Sequence, residues 1–251
     1  MTHAELVRTS FVDGVGTLTL HRPEARNALS LGLIRAMAEG LRELASQPGL
    51  RVLVLAGEGK VFCAGMDLKA VANDAVAMGD MLRELSRVTR TIRRMPVPTI
   101  ARVQGAAVGG GCGLMVVCDF AVTHPEAKVG YPEVDLGVCP AVVAPWLIRR
   151  IGAGRARSML LAGGTISGEE GFRSGLATHL APLDELDATV ASIAKHIATG
   201  CPKALAATKH WLNELDGSLD DAVLDKAAEI SARIIAGEEA QTRLRALFSR
   251  G

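Results

Sequence analysis

Gly109-Gly110-Gly111-Cys112-Gly113-Leu114, continued by Met115-Val116-Val117, places consecutive glycines between an apolar strand pattern and a helix pattern. Glycines at such a junction leave backbone N–H groups bare, with no side chain to hold a ligand away. They also lie where the helix dipole is positive, so negative charge developing nearby is favoured. A second glycine turn, Phe62-Cys63-Ala64-Gly65-Met66-Asp67, follows another apolar strand and offers a facing N–H. Two such donors make an oxyanion hole, which predicts an enzyme that handles an activated carbonyl.

Outward from these turns the chain alternates strands and helices. Val7 to Val12 and Val15 to Leu20 flank Asp13-Gly14, the pattern of a two-residue hairpin. Ser30 is set to cap a helix whose apolar positions Leu33, Ile34, Met37, Leu41 and Leu44 recur at helical spacing. Val52-Leu53-Val54-Leu55 reads as a buried strand, 75–95 as a helix stopped by Pro96 and Pro98, 99–103 as a strand, and 119–123 as another. That order predicts an α/β fold with parallel strands and right-handed crossovers, its ligand at the carboxyl ends of the strands. From about Pro140 the pattern is helical, over 140–151, 154–162, 168–174, 185–199, 202–215 and 219–235, with a hinge at Gly200-Cys201-Pro202. This divides the chain into a core over 1–198 and a helical module over 199–251.

Composition narrows the function. A formal charge of +1 and 3% aromatic residues supply neither a general field for nucleic acid nor base-stacking platforms. No apolar run approaches the ~18 residues that span a bilayer, and the start of the sequence is polar, so a cytoplasmic protein is expected. The five cysteines are odd in number and irregularly spaced, as in a reduced thiol set. No His-Glu-x-x-His or paired Cys-x-x-Cys occurs, so no metal site is expected. Gly57-Glu58-Gly59-Lys60 lacks both the third glycine of a dinucleotide fingerprint and the Gly-Lys-Ser/Thr of a P-loop.

Four segments stand in register: Arg22-Pro23-Glu24-Ala25-Arg26-Asn27-Ala28-Leu29, Val61-Phe62-Cys63-Ala64-Gly65-Met66-Asp67-Leu68, Gln104-Gly105-Ala106-Ala107-Val108-Gly109-Gly110-Gly111, and Pro132-Glu133-Val134-Asp135-Leu136-Gly137. In order and spacing they resemble the successive signatures of the crotonase superfamily, the enoyl-CoA hydratase/isomerase group. The resemblance implies a ClpP-like spiral of ββα units, a helical C-terminal module serving trimerisation and covering the active site, and a homotrimer or dimer of trimers. It implies an acyl-CoA substrate and no separate cofactor, coenzyme A being part of the substrate. Carried over, the oxyanion N–H groups fall on Met66 and Gly110, the acid/base on Glu133, and the contacts to the pantetheine and adenine parts, largely through backbone, around Ala25, Ala64, Asp67 and Leu68.

The sequence departs from the family pattern in two places. Hydratases of the two-glutamate type carry their first Glu where this chain has Gly113, a substrate-facing position by the same resemblance. Pro140-Ala141-Val142-Val143-Ala144-Pro145 stands where many of them are glycine-rich. This version is similar to a subgroup of methylglutaconyl-type and related branched-acyl hydratases, several of which also carry Gly at the first Glu position, so the resemblance puts hydratase first. One carboxylate suits either hydration with backbone help or a Δ3,Δ2 double-bond shift. Thioester hydrolysis, decarboxylation and a non-catalytic CoA-binding scaffold are the remaining alternatives. Asp135 is a candidate helper, and Lys203, Lys209 and Arg26 are candidates to meet CoA phosphates. Acyl-chain selectivity is assigned to distant helices, including 70–90.

Overall fold

The computed structural model describes residues 3–69 and 74–248; of the 70–90 stretch assigned to the acyl pocket, 70–73 lie outside the described residues. After a short helical turn α1 (His3–Leu6) come β1 (Val7–Val12) and β2 (Val15–Leu20), paired antiparallel with Val12 opposite Val15. Asp13 and Gly14 both take positive φ (49° and 80°), the mirror-image turn that matches the twist of a hairpin. Leu18 and Leu20 point into the core, and on the same face Ser30 caps α2 (Leu31–Ala45) by accepting the Leu33 N–H at 3.2 Å.

Four parallel strands extend the hairpin: β3 (Val52–Gly57), β4 (Thr99–Val103), β6 (Phe120–Thr123) and β9 (His179–Leu180), in the order β1-β2-β3-β4-β6-β9. The crossovers are carried by α2, by α3 (Ala75–Arg93, capped by Asp74) and by α4 (Gly110–Val117). A second small sheet, β5 (Ala107–Val108), β7 (Lys128–Gly130) and β8 (Thr165–Ser167), stands beside it. The sequence pattern gives no sign of this sheet or of β9, because runs of two or three residues are too short for a period to register.

The helices beyond residue 140 fall close to their expected places: α5 (Ala144–Ile151), α6 (Ala153–Ala162), α7 (Gly168–Ser174), α8 (Leu186–Ala198), α9 (Pro202–Leu215) and α10 (Asp221–Ile235). A further helix, α11 (Glu238–Phe248), follows. α5 begins four residues later than its pattern suggests, since Pro140 lacks an N–H and Pro145 is tolerated only in a first turn. The expected hinge is held to the core, because Arg51 donates to the carbonyls of Ala198 and Gly200 at 2.7 and 2.5 Å. α10 then packs back along α3 and brings Ser231 and Ile235 to the rim of a cavity formed by the glycine turns.

Candidate active site

Two backbone corners meet at the start of α4. Cys63 pairs with β5 as a bridge to Ala107, its N–H reaching the Ala106 carbonyl and its own carbonyl accepting from Val108, both at 3.0 Å. This puts the 62–67 turn directly against α4. Only glycine at 111 permits the approach, because a Cβ there would lie 2.3 Å from the Cys63 carbonyl oxygen. The neighbouring glycine, Gly109, takes φ 55° and ψ −121° and spends its N–H on the Gly130 carbonyl at 2.8 Å. Gly110 therefore presents the first uncommitted N–H of the helix.

The second donor is exposed by pairing on its flanks. Leu29 N–H bonds to the Gly65 carbonyl (2.8 Å) and Asp67 N–H to the Leu29 carbonyl (3.0 Å), so the N–H of Met66 faces away from this ladder. A Cβ built on Gly65 would stand 3.8 Å from the Gly110 nitrogen, which brings the two corners within one ligand oxygen's reach. Neither the Met66 nor the Gly110 N–H has an acceptor among the described residues. Buried backbone donors are nearly always paired, so two free ones beside one cavity mark a place for an oxygen.

Glu133 closes the same cavity. It sits in a 3-10 turn, Pro132–Leu136, that opens on a proline and ends on left-handed Gly137, while its carbonyl accepts the Val138 N–H at 2.8 Å. The side chain lies over Gly109, with Oε1 2.9 Å from the position a Cβ there would take; the second glycine requirement of the corner is thus room for this carboxylate. Its Oε2 is buried without a hydrogen-bond partner. Burial pushes the Glu133 carboxyl up to about 7, opposed by a backbone hydrogen bond. A carboxyl near neutrality, with one oxygen buried and unpaired, is fitted to exchange a proton with whatever enters.

The cavity has a volume of about 90 Å³. Ala64, Met66, Leu68, Gly110 and Glu133 line it, as the sequence places them. Ala25 does not: it lies on the 3-10 turn Pro23–Ala25, bonded locally to Arg22. The Asp67 carboxylate is turned to Arg22 (2.5 Å), whose guanidinium also holds the Ala28 carbonyl, so it braces the Met66 corner from behind. Gly113 is buried on α4 and does not line the cavity, the space beside it being taken by Val143. Asp135 accepts the Gly164 N–H at 3.1 Å on the outer surface.

Of the three cations, Arg26 and Lys203 are exposed, whereas Lys209 is buried. Its ammonium donates to Asp119 at 2.6 Å and to the Val97 carbonyl at 2.9 Å, fixing α9 to the amino ends of the inner strands β4 and β6. Burial lowers the Lys209 ammonium and Asp119 opposes that shift, the signature of a structural pair. Lys209→Met should lower stability by about 2 kcal/mol, reduced from the usual cost of breaking a buried pair because Asp119 is partly exposed. Thermal unfolding of that variant should show a lower Tm than the wild type.

Sequence reasoning did not single out Leu85, Ser231 or Ile235, which also line the cavity. Ser231 and Ile235 are spaced for one helix face, but nothing in the sequence says that this face returns to α4. The three buried thiols, Cys63, Cys112 and Cys118, are each pushed up to about 12 by burial and are chemically quiet. Among the described residues no group of three His, Cys, Asp or Glu side chains is placed to hold a metal, and no helix is long and apolar enough to cross a membrane.

Comparison with known proteins places this geometry in context. The family model described as Enoyl-CoA hydratase/isomerase matches residues 10–244. A hydroxycinnamoyl-CoA hydratase-lyase from Pseudomonas fluorescens is 33% identical, with 81% of this chain and 76% of that protein aligned. An enoyl-CoA isomerase/hydratase from Mycosarcoma maydis is also 33% identical, over 78% of this chain and 76% of the other. Among solved structures, an enoyl-CoA hydratase from Mycobacterium avium superposes with a TM-score of 0.86 at 32% identity, covering 98% of this chain and 96% of that one.

Proposed function

Because the chain belongs to the enoyl-CoA hydratase/isomerase family, we propose that it acts on an enoyl-CoA thioester through an enolate, with Glu133 as its single acid/base. The observation that carries this reading is the meeting, around one cavity, of two unpaired backbone donors and a carboxylate whose Oε2 is buried and unpaired. A thioester carbonyl seated between the Met66 and Gly110 N–H groups acidifies its α-carbon. As negative charge moves onto the oxygen, the two preorganised donors and the positive end of α4 strengthen their hold on it. Glu133 then exchanges a proton with the acyl chain.

The pantetheine arm passes Ala64 and Leu68 at the mouth. The apolar side chains exposed on α9, Trp211, Leu212 and Leu215, are the surface we assign to contact between copies in a trimer.

The test is a panel of 2-enoyl- and 3-enoyl-CoA thioesters followed by conjugated-thioester absorbance. Hydration removes the absorbance of the first set and a double-bond shift creates it from the second; silence on both would overturn the proposal. In the direction that begins with proton abstraction, Glu133 must be ionised. kcat/KM should therefore rise with pH and level off above a limb near 7, because burial holds this carboxyl up at about 7. A limb at the ordinary carboxylate position would assign the proton transfer to a different, solvated group.

A further inference from the structure

We propose that Val143 is a specificity-determining residue: it fills the space into which a side chain at position 113 would project, so that Glu133 works beside an apolar wall, and it turns the site from water addition to an enoyl thioester toward proton transfer along the acyl chain. The inference rests on the enolate reading above and adds which of the two enolate-forming reactions the site favours.

The geometry begins on α4. Gly113 N–H donates to the Gly109 carbonyl at 2.9 Å, so the two residues lie one turn apart on one side of the helix, about 6 Å along its axis. Glu133 stands over Gly109, and Val143 stands over Gly113, its Cγ1 2.6 Å and its Cβ 3.5 Å from where a Cβ at 113 would be. Val143 is 3% exposed and lines the cavity.

A valine cannot easily swing aside, since its branched Cβ leaves few rotamers. Its backbone is also held in place. Ala144 N–H bonds to the Pro140 carbonyl (3.1 Å) and Leu147 N–H to the Val143 carbonyl (3.0 Å). Val142 N–H donates to the Ser231 hydroxyl (3.2 Å), which itself donates to the Cys139 carbonyl (2.8 Å). The two departures noted in the sequence, Gly113 and the Pro140–Pro145 run, are therefore one feature: a small residue on α4 and a bulky one in the facing loop.

That feature decides what can stand next to Glu133. A water held for addition needs two to four polar partners. The cavity is lined by apolar side chains that include Leu85, Val138, Val142 and Val143, and the Ser231 proton is already given to Cys139. A double-bond shift needs no water. Glu133 takes a proton from C2 of a 3-enoyl thioester, and the C–H electron pair becomes the C1–C2 double bond of a dienolate whose oxygen carries the charge. The protonated Glu133 then returns the proton to C4: the C3–C4 π pair forms the new C–H bond, the C2–C3 double bond appears, and the carbonyl is restored.

The experiment compares the wild-type protein with Val143→Ala, Gly113→Ala, Gly113→Ala/Val143→Ala and Gly113→Glu/Val143→Ala. Isomerisation of a 3-enoyl-CoA, hydration of a 2-enoyl-CoA and α-deuterium exchange in D2O are measured on each active form, and Tm on all. Wild-type protein should isomerise at least ~10-fold faster than it hydrates, and Gly113→Glu/Val143→Ala should raise the hydration-to-isomerisation ratio by ~10-fold or more. Gly113→Ala should lower Tm by roughly 3–10 °C, and most of that loss should vanish when Val143 is also Ala. A neutral Gly113→Ala, or a ratio that none of the three Val143 variants moves while exchange persists, overturns this inference alone. Absence of both exchange and turnover in the wild type overturns the enolate reading and this inference with it.

Discussion

Glu133→Gln is expected to lower kcat for either acyl-CoA reaction by about 10³-fold, within the 10²–10⁴ that a positioned acid/base contributes. Gln keeps the shape of the side chain in its place over Gly109 but cannot accept a proton, so KM should change little. The same variant should reveal what burying the carboxylate costs. The Glu133 carboxyl is raised by burial from 4.5 to about 7 in the folded protein. Its contribution to stability is therefore fully present at pH below the unfolded value and is lost as pH rises through about 7. Relative to wild type, Glu133→Gln should gain stability above pH 7, by as much as ~3 kcal/mol if the whole shift is expressed, and show no such gain near pH 4. Thermal melts at the two pH values, alongside steady-state rates, measure both effects. A Gln variant with the wild-type rate removes Glu133 from the chemistry; one with equal Tm differences at both pH values means that the carboxylate is solvated.

The second large effect concerns an atom that side-chain replacement does not normally reach, the Gly110 N–H. Proline is tolerated at the first position of a helix, which is where Gly110 stands, and it removes the donor. Any Cβ there also crowds Leu85 and Leu29, at 3.0 and 3.1 Å, so Gly110→Ala serves as the comparison that is crowded but keeps its N–H. The Pro variant should be slower than the Ala variant by about 10²–10³ in kcat, the loss that follows removal of one oxyanion donor, with a smaller change in KM. The split is diagnostic, because the donor strengthens as charge gathers on the oxygen. Equal rates for Ala and Pro would mean that the thioester oxygen is not bound at this N–H.

Both variants concern residues that the sequence exposes, whereas the residue proposed to select the reaction, Val143, emerged only from packing. The difference has a physical source. Gly110 and Glu133 sit in local motifs, a glycine run at a strand-to-helix junction and a Pro-Glu turn, whose backbone demands are written in neighbouring residues. Val143 matters because it is 2.6 Å from a position thirty residues earlier in the chain, and no local pattern carries that distance. Asp67 and Lys209 make the converse point. Each is a charged residue beside a motif or on a helix, and each proves to be committed to an internal partner, Arg22 and Asp119 respectively.

By itself the sequence determined the hairpin, the order of the long strands and helices, the two glycine corners and the Pro-Glu turn that carries Glu133. These depend on φ, on caps and on hydrophobic period, all of which act within a few residues. Only the tertiary structure decided the second sheet, the return of α10 over α3, the convergence of the Met66 and Gly110 N–H groups, and the valine that occupies the space beside Gly113. Those depend on which segments distant in the chain come into contact, and contact is settled by close packing of the whole core rather than by any one stretch of it.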